Sequence, residues 1–339
     1  MTRALQGATA GLYASARAPG KIILAGEHFV VLGAPAVSMA VNLHAFATAQ
    51  ATADGELKVE ANIPLSILGR GERASRPDTK ELLEPFRLAA RESLDSLERR
   101  KAGVSIEVEC KIPIGAGLGS SAATAVAIIA ATSRAYGAKL DKPRICQIAF
   151  GPESYLHGSP SGVDQATSTY GGLIQFSKPD KVKRLRLKRM PSILVCDTNV
   201  HRSTKGLVGY VVKRAKSDSE AFRSRLAEVS EISAAVVRAL RRDNDVELGE
   251  LMNRNHELLV QIGVSHPMLD KLVRAAREAG AFGAKMTGAG GGGCMIALCE
   301  DEEETFRIGS VLRRRGGSPY LLSLDPAGVV SSTNGTVLK

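Results

Sequence analysis

The segment 113–123, PIGAGLGSSAA, is the clearest candidate binding segment in this chain, because it is rich in glycine and serine. Gly115, Gly117 and Gly119 lack side chains, so backbone N–H groups can turn toward one point there. The first turn of a following helix adds unpaired N–H groups and a positive dipole end. The segment therefore suits an anion such as the polyphosphate of a nucleotide; a plain glycine-rich connection is the alternative.

The sequence on either side of this segment predicts a strand before it and a helix after it. Apolar and polar residues alternate over 104–112, which is the period of a half-buried strand. Ser120 or Ser121 is expected to cap a helix over 121–136 that is apolar on most faces, and Gly137 is expected to end it. A strand, a glycine turn and a buried helix would form one rigid unit.

Two well-known phosphate-binding motifs do not fit this segment. The Walker motif requires a lysine after its glycines, and none follows them here. The dinucleotide fingerprint GxGxxG requires a third glycine where this chain has Ser120. A nucleotide would therefore be held by another kind of glycine turn.

A lysine, a glutamate and a histidine lie close together near the start, in APGKIILAGEHFVVLGAPAVSMAV. A predicted strand over 16–23 delivers Lys21 to a loop that presents Glu27 and His28. These residue types are candidates for proton handling and substrate contact. The structural alternative is a strand-end charge beside a hydrogen-bonded loop histidine.

Two carboxylates and a histidine lie in GPESYLHGSPSGVDQATSTYGGLIQF. Glu153 falls on a predicted helix over 142–157, with His157 four residues later on the same face. Glycine and proline residues then break the chain and present Asp164; an Asx turn that only caps the next segment is the alternative. Pro152 removes one helical N–H, so the helix is expected to restart there and to shift Glu153.

A second glycine-rich segment, KMTGAGGGGCMIAL, precedes a predicted strand over 294–299. Gly288 and residues 290–293 are all glycine, which raises the entropic cost of folding. Such a run indicates close approach of the backbone to another group, although a bulged hairpin or a hinge would also fit.

Composition narrows the classes of protein that remain. The chain has 339 residues, 44% of them hydrophobic, and no apolar run approaches the roughly 20 residues that span a bilayer. With no signal-peptide core at the N-terminus, a soluble cytoplasmic protein with no membrane partner is expected. Five cysteines without CxxC spacing predict neither disulfides nor a zinc site. The net charge of +10 suits anionic ligands, but 4% aromatic residues and no recognisable motif argue against nucleic-acid binding.

The pattern of elements changes near Lys188, where a domain boundary is expected. Strands are predicted at 16–23, 57–61, 104–112, 172–177, 193–197, 294–299 and 320–324, and helices at 80–99, 121–136, 142–157, 219–241, 246–262, 267–279 and after Asp301. The predicted domains are therefore 1–188, whose first 14 or so residues form a loose extension, and 189–339.

Taken in order, the three motifs resemble those of the GHMP kinase family, named for galacto-, homoserine, mevalonate and phosphomevalonate kinases. The resemblance covers about residues 17–298. APGKIILAGEH followed by VVLGAPAV is most similar to the members that phosphorylate mevalonate, and the aspartate-containing sugar-binding sequence of galactokinases is absent. CDTNVHRSTKGLV also resembles the segment of those members whose threonine, here Thr204, lies near the transferred phosphate.

The resemblance implies a two-domain α+β fold. Its N-terminal domain would be like ribosomal protein S5 domain 2, with a left-handed βαβ crossover, and its C-terminal domain would be a ferredoxin-like α/β domain. The periodicity alone predicts the usual right-handed crossover instead.

The resemblance also implies an ATP- and Mg²⁺-dependent kinase that phosphorylates the 5-hydroxyl of (R)-mevalonate on the route to isoprenoids. Asp164 would handle the proton of the primary hydroxyl, with Lys21 as its cationic partner. Ser121 and Glu153 would hold Mg²⁺. The residues implied to contact mevalonate are Glu27, His28 and Thr204. Those implied to contact ATP are Pro113, Ile114, Gly115, Ala116, Gly117, Leu118, Gly119, Ser120, Ser121, Ala122, Ala123, Gly288 and Gly290.

Other functions stay open on the sequence alone. Another kinase of the family, acting on phosphomevalonate, homoserine or a sugar, is the nearest alternative. A non-catalytic nucleotide-binding protein and a nucleic-acid-binding protein are the others. The sequence does not distinguish a monomer from a homodimer.

Overall fold

The computed structural model describes residues 13–62, 79–158, 160–179, 181–200 and 204–333. Its elements, in chain order, are β1 (Tyr13–Ala25), β2 (Ala36–Thr52), β3 (Leu57–Asn62), α1 (Thr79–Ser96), β4 (Gly103–Cys110), α2 (Ser120–Ala135), α3 (Lys142–His157), α4 (Val163–Tyr170), β5 (Leu173–Ser177), β6 (Lys181–Leu185), β7 (Ser192–Asp197), α5 (Thr204–Ser217), α6 (Ser219–Arg241), α7 (Asp245–Gln261), α8 (Pro267–Glu278), β8 (Gly283–Met286), β9 (Cys294–Cys299), α9 (Glu302–Arg314), β10 (Ser318–Leu321) and β11 (Val330–Thr333). A short 3₁₀ turn, Phe29–Leu32, lies between β1 and β2.

The first sheet has seven strands built around β2. This strand pairs antiparallel with β1, β4 and β5, and β6 extends the sheet beyond β5. β3 lies beside β4 and runs parallel to it, with α1 in the connection. The first half of β2 is buried on both faces and its second half alternates, which matches a strand that passes from the sheet centre to a more exposed end.

Helix α2 is the centre of the layer that covers this sheet. It packs on β1 and β2 and is flanked by α1, α3 and α4. Thirteen of its sixteen residues are buried, as its nearly uniform apolar sequence predicts. A helix buried on most sides is held rigidly, so its first turn has a fixed position relative to β1.

The second sheet has four antiparallel strands in the order β10-β7-β9-β8. Helices α5 to α8 connect β7 to β8, and α9 connects β9 to β10. Numbered by their place in the chain, the strands lie in the order 4-1-3-2, which is the ferredoxin-like arrangement. The α+β fold class expected from the resemblance is confirmed.

The chain returns to the first sheet at its end. β11 pairs antiparallel with β1, placing Ala14 opposite Thr333. A domain boundary near residue 188 stays a prediction, and β11 lies with the first sheet although it follows that boundary. None of the described helices is long and apolar enough to cross a membrane.

Candidate active site

One cavity of about 280 Å³ collects side chains from several elements. Lys21 of β1, Ser121 of α2, Glu153 of α3 and Asp164 of α4 all line it, together with Gly288 of the second glycine segment. The structure therefore brings together four charged or polar residues that are widely separated along the chain.

The first glycine turn forms one wall of the cavity. Its glycines face the cavity, and the residues between them face the protein interior. Gly115, Gly117 and Gly119 have positive φ values and line the cavity. Ala116 and Leu118, between them, are buried, and their carbonyl groups accept hydrogen bonds at 3.0 Å from the N–H of Cys294 and at 2.8 Å from the N–H of Lys21. The turn is thus fixed to β9 and β1 on one side and open to the cavity on the other.

Helix α2 begins at this turn without a side-chain cap. Gly119 is its N-cap, with φ 76°, and neither Ser120 nor Ser121 bonds the helix end as predicted. An added Cβ at Gly119 would lie 2.9 Å from Cγ of Lys21, so the lysine stem packs directly on the glycine. A capping serine at this position would have displaced Lys21, and both serine side chains instead lie in the first turn at the cavity wall.

Lys21 and Asp164 form an ion pair in the cavity. Nζ of Lys21 lies 3.2 Å from Oδ1 of Asp164 and donates a hydrogen bond to the carbonyl of Gly117 at 3.1 Å. Lys21 is buried, whereas the Asp164 side chain is 31% exposed toward the cavity. A carboxylate beside a fixed ammonium can take or orient a hydroxyl proton, and the ammonium can stabilise a nearby phosphoryl group.

Glu153 and Ser121 form the second polar pair. Ser121 lies beside Glu153 on the cavity wall. Oε1 of Glu153 is buried and has no hydrogen-bond partner among the described residues. Burial and then the negative charge of Asp164 raise the pKa of Glu153 to about 8, while Ser121 and Lys21 oppose the shift. A hydroxyl and a carboxylate with an unused oxygen are hard ligands of the kind that Mg²⁺ prefers, so these residues fit such an ion.

The predicted effect of Pro152 on Glu153 is wrong. Helix α3 continues through Pro152 to His157 without a break, and Nε2 of His157 lies 3.7 Å from Oε2 of Glu153. Gly151 precedes the proline and has no Cβ to collide with the pyrrolidine ring, so the helical backbone is kept. Glu153 therefore faces the cavity from an uninterrupted helix.

Glu27 and His28 line the cavity beside Lys21 and are buried. Nε2 of His28 lies 2.9 Å from the carbonyl oxygen of Ala289, which can only accept a hydrogen bond, so Nε2 carries the proton. Burial lowers the pKa of His28 to about 4, so the ring is neutral near pH 7. Its Nδ1 has no partner in the part of the chain that the structure describes and is left as a hydrogen-bond acceptor. Glu27 pairs with Lys285 through Oε1, and within the described residues its Oε2 has no partner.

The second glycine segment packs against the first. An added Cβ at Gly288 would lie 2.8 Å from the carbonyl oxygen of Gly117, so side chains are excluded where the segments meet. Gly288 and Ala289 line the cavity. Gly290 does not line it, and an added Cβ there would lie 2.0 Å from the carbonyl oxygen of Val264. The close approach expected at this run is therefore an approach to protein backbone.

Several predicted residues lie outside the cavity wall. Pro113 lies before the glycine turn, and Ala122 and Ala123 are buried within α2. Thr204 begins α5, but its side chain lies outside the described residues. Val208, one turn later, does line the cavity.

Gln165 is a lining residue that the sequence did not indicate. It is 2% exposed and follows Asp164 in α4, and none of the described residues bonds its Oε1. No pattern distinguishes it from the other polar residues of that segment, because α4 is an eight-residue helix whose polar side chains are mostly buried.

Comparison with known proteins identifies the relatives of this fold and site. The profile described as GHMP kinases N terminal domain matches residues 86–172, and the profile described as GHMP kinases C terminal matches residues 236–317. Mevalonate kinase of Pyrococcus horikoshii is 37% identical over 330 residues, which cover 94% of this chain and 97% of that protein.

Solved structures agree with this relationship. The structure of L. major mevalonate kinase in complex with R-mevalonate matches with a TM-score of 0.77 and 28% identity, over 92% of this chain and 96% of that one. Methanococcus jannaschii mevalonate kinase matches with a TM-score of 0.76 and 28% identity, over 92% and 98%. The chain therefore belongs to the GHMP kinase family, among the mevalonate kinases.

Proposed function

We propose that the protein transfers the γ-phosphoryl group of ATP to the 5-hydroxyl of (R)-mevalonate and releases 5-phosphomevalonate and ADP. The observation that carries this proposal is the Lys21–Asp164 ion pair on the wall of a cavity that also contains the glycine turn. The substrate follows from the relatives, which are named mevalonate kinases at 37% identity over nearly the whole chain.

Phosphoryl transfer depends mainly on positioning and on neutralising charge. Asp164 would accept or orient the proton of the primary hydroxyl, so that its oxygen can attack phosphorus. Lys21 would hold the Asp164 carboxylate and stabilise the transferred group. Backbone N–H groups of the glycine turn and of the first turn of α2 would hold the ATP phosphates.

Ser121 and Glu153 are the residues that would hold Mg²⁺. When bound, the ion neutralises negative charge on the phosphates of ATP. The unpartnered Oε1 of Glu153 and the adjacent hydroxyl supply the oxygen ligands.

A substrate comparison tests the proposal. The protein is assayed for ADP release with ATP, Mg²⁺ and one acceptor at a time: mevalonate, phosphomevalonate, homoserine or galactose. Mevalonate is expected to give a kcat/KM at least about 100-fold above the others, because a site built to bond one set of polar groups rejects ligands that leave those groups unpaired. A preference for another acceptor, or ADP release that needs no acceptor, would contradict the proposal.

A further inference from the structure

Lys285 is a completely buried lysine in β8 of the second sheet. Its ammonium group crosses to the first half of the chain and donates to Oε1 of Glu27. It also donates to the carbonyl of Met286 at 2.7 Å and to that of Ile23 at 3.3 Å. These contacts use all three of its N–H donors, so the side chain is fixed in one orientation.

Burial disfavours both charges of this pair. Desolvation raises the pKa of Glu27, with the charge of Lys285 opposing the shift, and desolvation lowers the pKa of Lys285. A buried ion pair contributes little net stability compared with apolar residues of similar size. Its presence is therefore better explained by what it orients than by the stability it adds.

The junction between the two halves does not depend on this charge. Thr287, two residues after Lys285, accepts a hydrogen bond from the N–H of Ile23 at 2.8 Å and donates to the carbonyl of Ile23 at 3.3 Å. A neutral side chain thus already joins the same two segments. The particular effect of Lys285 is on the carboxylate of Glu27.

That carboxylate has one oxygen held and one oxygen free. Oε1 accepts from Lys285, whereas Oε2 is buried and no described residue bonds it, and Glu27 lines the cavity beside Lys21. Lys285 itself does not line the cavity. Of the cavity-lining groups that Lys285 bonds, Glu27 is the one that offers a side chain, whereas the Ile23 carbonyl is also held by Thr287.

We propose that Lys285 is a positioning residue that holds the Glu27 carboxylate so that Oε2 accepts a hydrogen bond from a second hydroxyl of the acceptor, one that is not phosphorylated. Mevalonate carries such a group, the tertiary hydroxyl on C3. This assignment rests on the function proposed above and extends it to the recognition of the acceptor.

A double-mutant cycle tests the assignment. The variants are Glu27→Gln, Lys285→Met and the two combined, each assayed for the KM of mevalonate and the KM of ATP. Lys285→Met is expected to raise the KM of mevalonate at least about tenfold and to leave the KM of ATP within about twofold. In the Glu27→Gln background, the same change is expected to add less than about twofold, because the residue acts through Glu27.

Lys142→Met is the matched control. Lys142 is a partly buried lysine that donates to the carbonyls of Tyr170 and Ala327, away from the cavity. Lys142→Met removes an ammonium group that bonds two carbonyls, as Lys285→Met does. It is expected to leave the KM of mevalonate and the KM of ATP within about twofold of wild type.

Lys285→Arg covers the case in which Lys285→Met does not fold. It keeps the charge but replaces a point donor by a planar fork, so it is expected to raise the KM of mevalonate more than that of ATP. Two results would overturn this inference but not the proposed function, provided that the wild-type protein is active. One is a normal KM of mevalonate in the Lys285 variants, and the other is additive effects in the double-mutant cycle. Wild-type protein without mevalonate turnover would overturn the proposed function, and the inference with it.

Discussion

Asp164 is the residue on which the proposed chemistry depends most. Asp164→Asn keeps the size of the side chain but removes its charge and its ability to take a proton. Turnover is expected to fall at least about a hundredfold while the KM of ATP stays within a few-fold, since loss of a proton-handling group has this scale. The measurement is steady-state ADP release at saturating mevalonate.

The control for this change is Asp141→Asn. Asp141 caps α3 by accepting a hydrogen bond from the N–H of Arg144 at 2.9 Å, and asparagine caps a helix equally well. Its turnover should match that of wild type. If Asp164→Asn also kept wild-type turnover, Asp164 would have no role in the reaction.

Ser120 and Ser121 are neighbours, but we expect their alanine variants to differ in the Mg²⁺ concentration that they require. Both line the cavity, but Ser121 is the one that acts on the pKa of Glu153. Ser121→Ala is expected to raise the Mg²⁺ concentration for half-maximal activity about tenfold, and Ser120→Ala less than about twofold. An unchanged Mg²⁺ requirement in Ser121→Ala would show that this hydroxyl is not a ligand.

The geometry at the start of α2 leads us to expect that any side chain at position 119 disturbs the site. Gly119 and Gly137, which follows the end of the same helix, have φ values of 76° and 74°. An added Cβ at Gly119 would lie 2.9 Å from Cγ of Lys21, whereas one at Gly137 would meet nothing within 4 Å. Alanine at either position loses about 1–2 kcal/mol of stability because the backbone is left-handed, but only Gly119→Ala also displaces Lys21.

Activity and stability together separate these two effects. Both alanine variants should lower the urea midpoint of unfolding, Gly119→Ala by at least as much as Gly137→Ala. Gly119→Ala should also reduce kcat at least about tenfold, and Gly137→Ala should not. Equal activity in the two variants would mean that the position of Lys21 does not depend on the glycine.

The elements that the sequence predicted are those with a strong local period. The strand at 104–112 and the helices at 121–136 and 142–157 are present with ends shifted by two residues at most. β2 was not placed, because its first six residues are mostly apolar, are all buried, and do not alternate. α4 was not placed either, since it is short and contains buried polar residues.

At the scale of the whole molecule, a charged cluster holds the end of the chain to the first sheet. Oδ2 of Asp325 lies 3.2 Å from Nη1 of Arg17 on β1 and 2.6 Å from Nε2 of His44 on β2. Burial would raise the pKa of Asp325, but hydrogen bonds from His44 and from the N–H groups of Gly328 and Ala327 outweigh it and lower the pKa to about 2.

This cluster predicts a pH-dependent contribution to stability. Because the folded-state pKa lies below the ordinary value of 3.8, the ionised carboxylate stabilises the fold above about pH 4, and this contribution is lost as the pH falls toward 2. Asp325→Asn is expected to reduce the free energy of unfolding by about 2 kcal/mol at pH 7. Urea unfolding of both proteins should show the difference shrinking between pH 4 and pH 2.5. A difference that is constant with pH would contradict this role.

The candidate site was predictable because its motifs carry strong local signals. Lys21, Glu153 and Asp164 each stand beside a turn or a helix that the sequence marks, and the family resemblance orders them. Contacts between distant segments have no such signal. The Lys285–Glu27 pair joins residues 258 positions apart, and β11 pairs with a strand at the other end of the chain. Only the folded structure shows either contact.

The proposed function requires that one cavity hold both reactants, with Lys21 and Asp164 at the point of transfer. A crystal structure with (R)-mevalonate and a non-hydrolysable ATP analogue measures this directly. We expect the C5 oxygen of mevalonate within about 3 Å of the Asp164 carboxylate, and the γ-phosphate beside Lys21 and the glycine turn. Mevalonate bound elsewhere, or with its C5 oxygen directed away from Asp164, would contradict it.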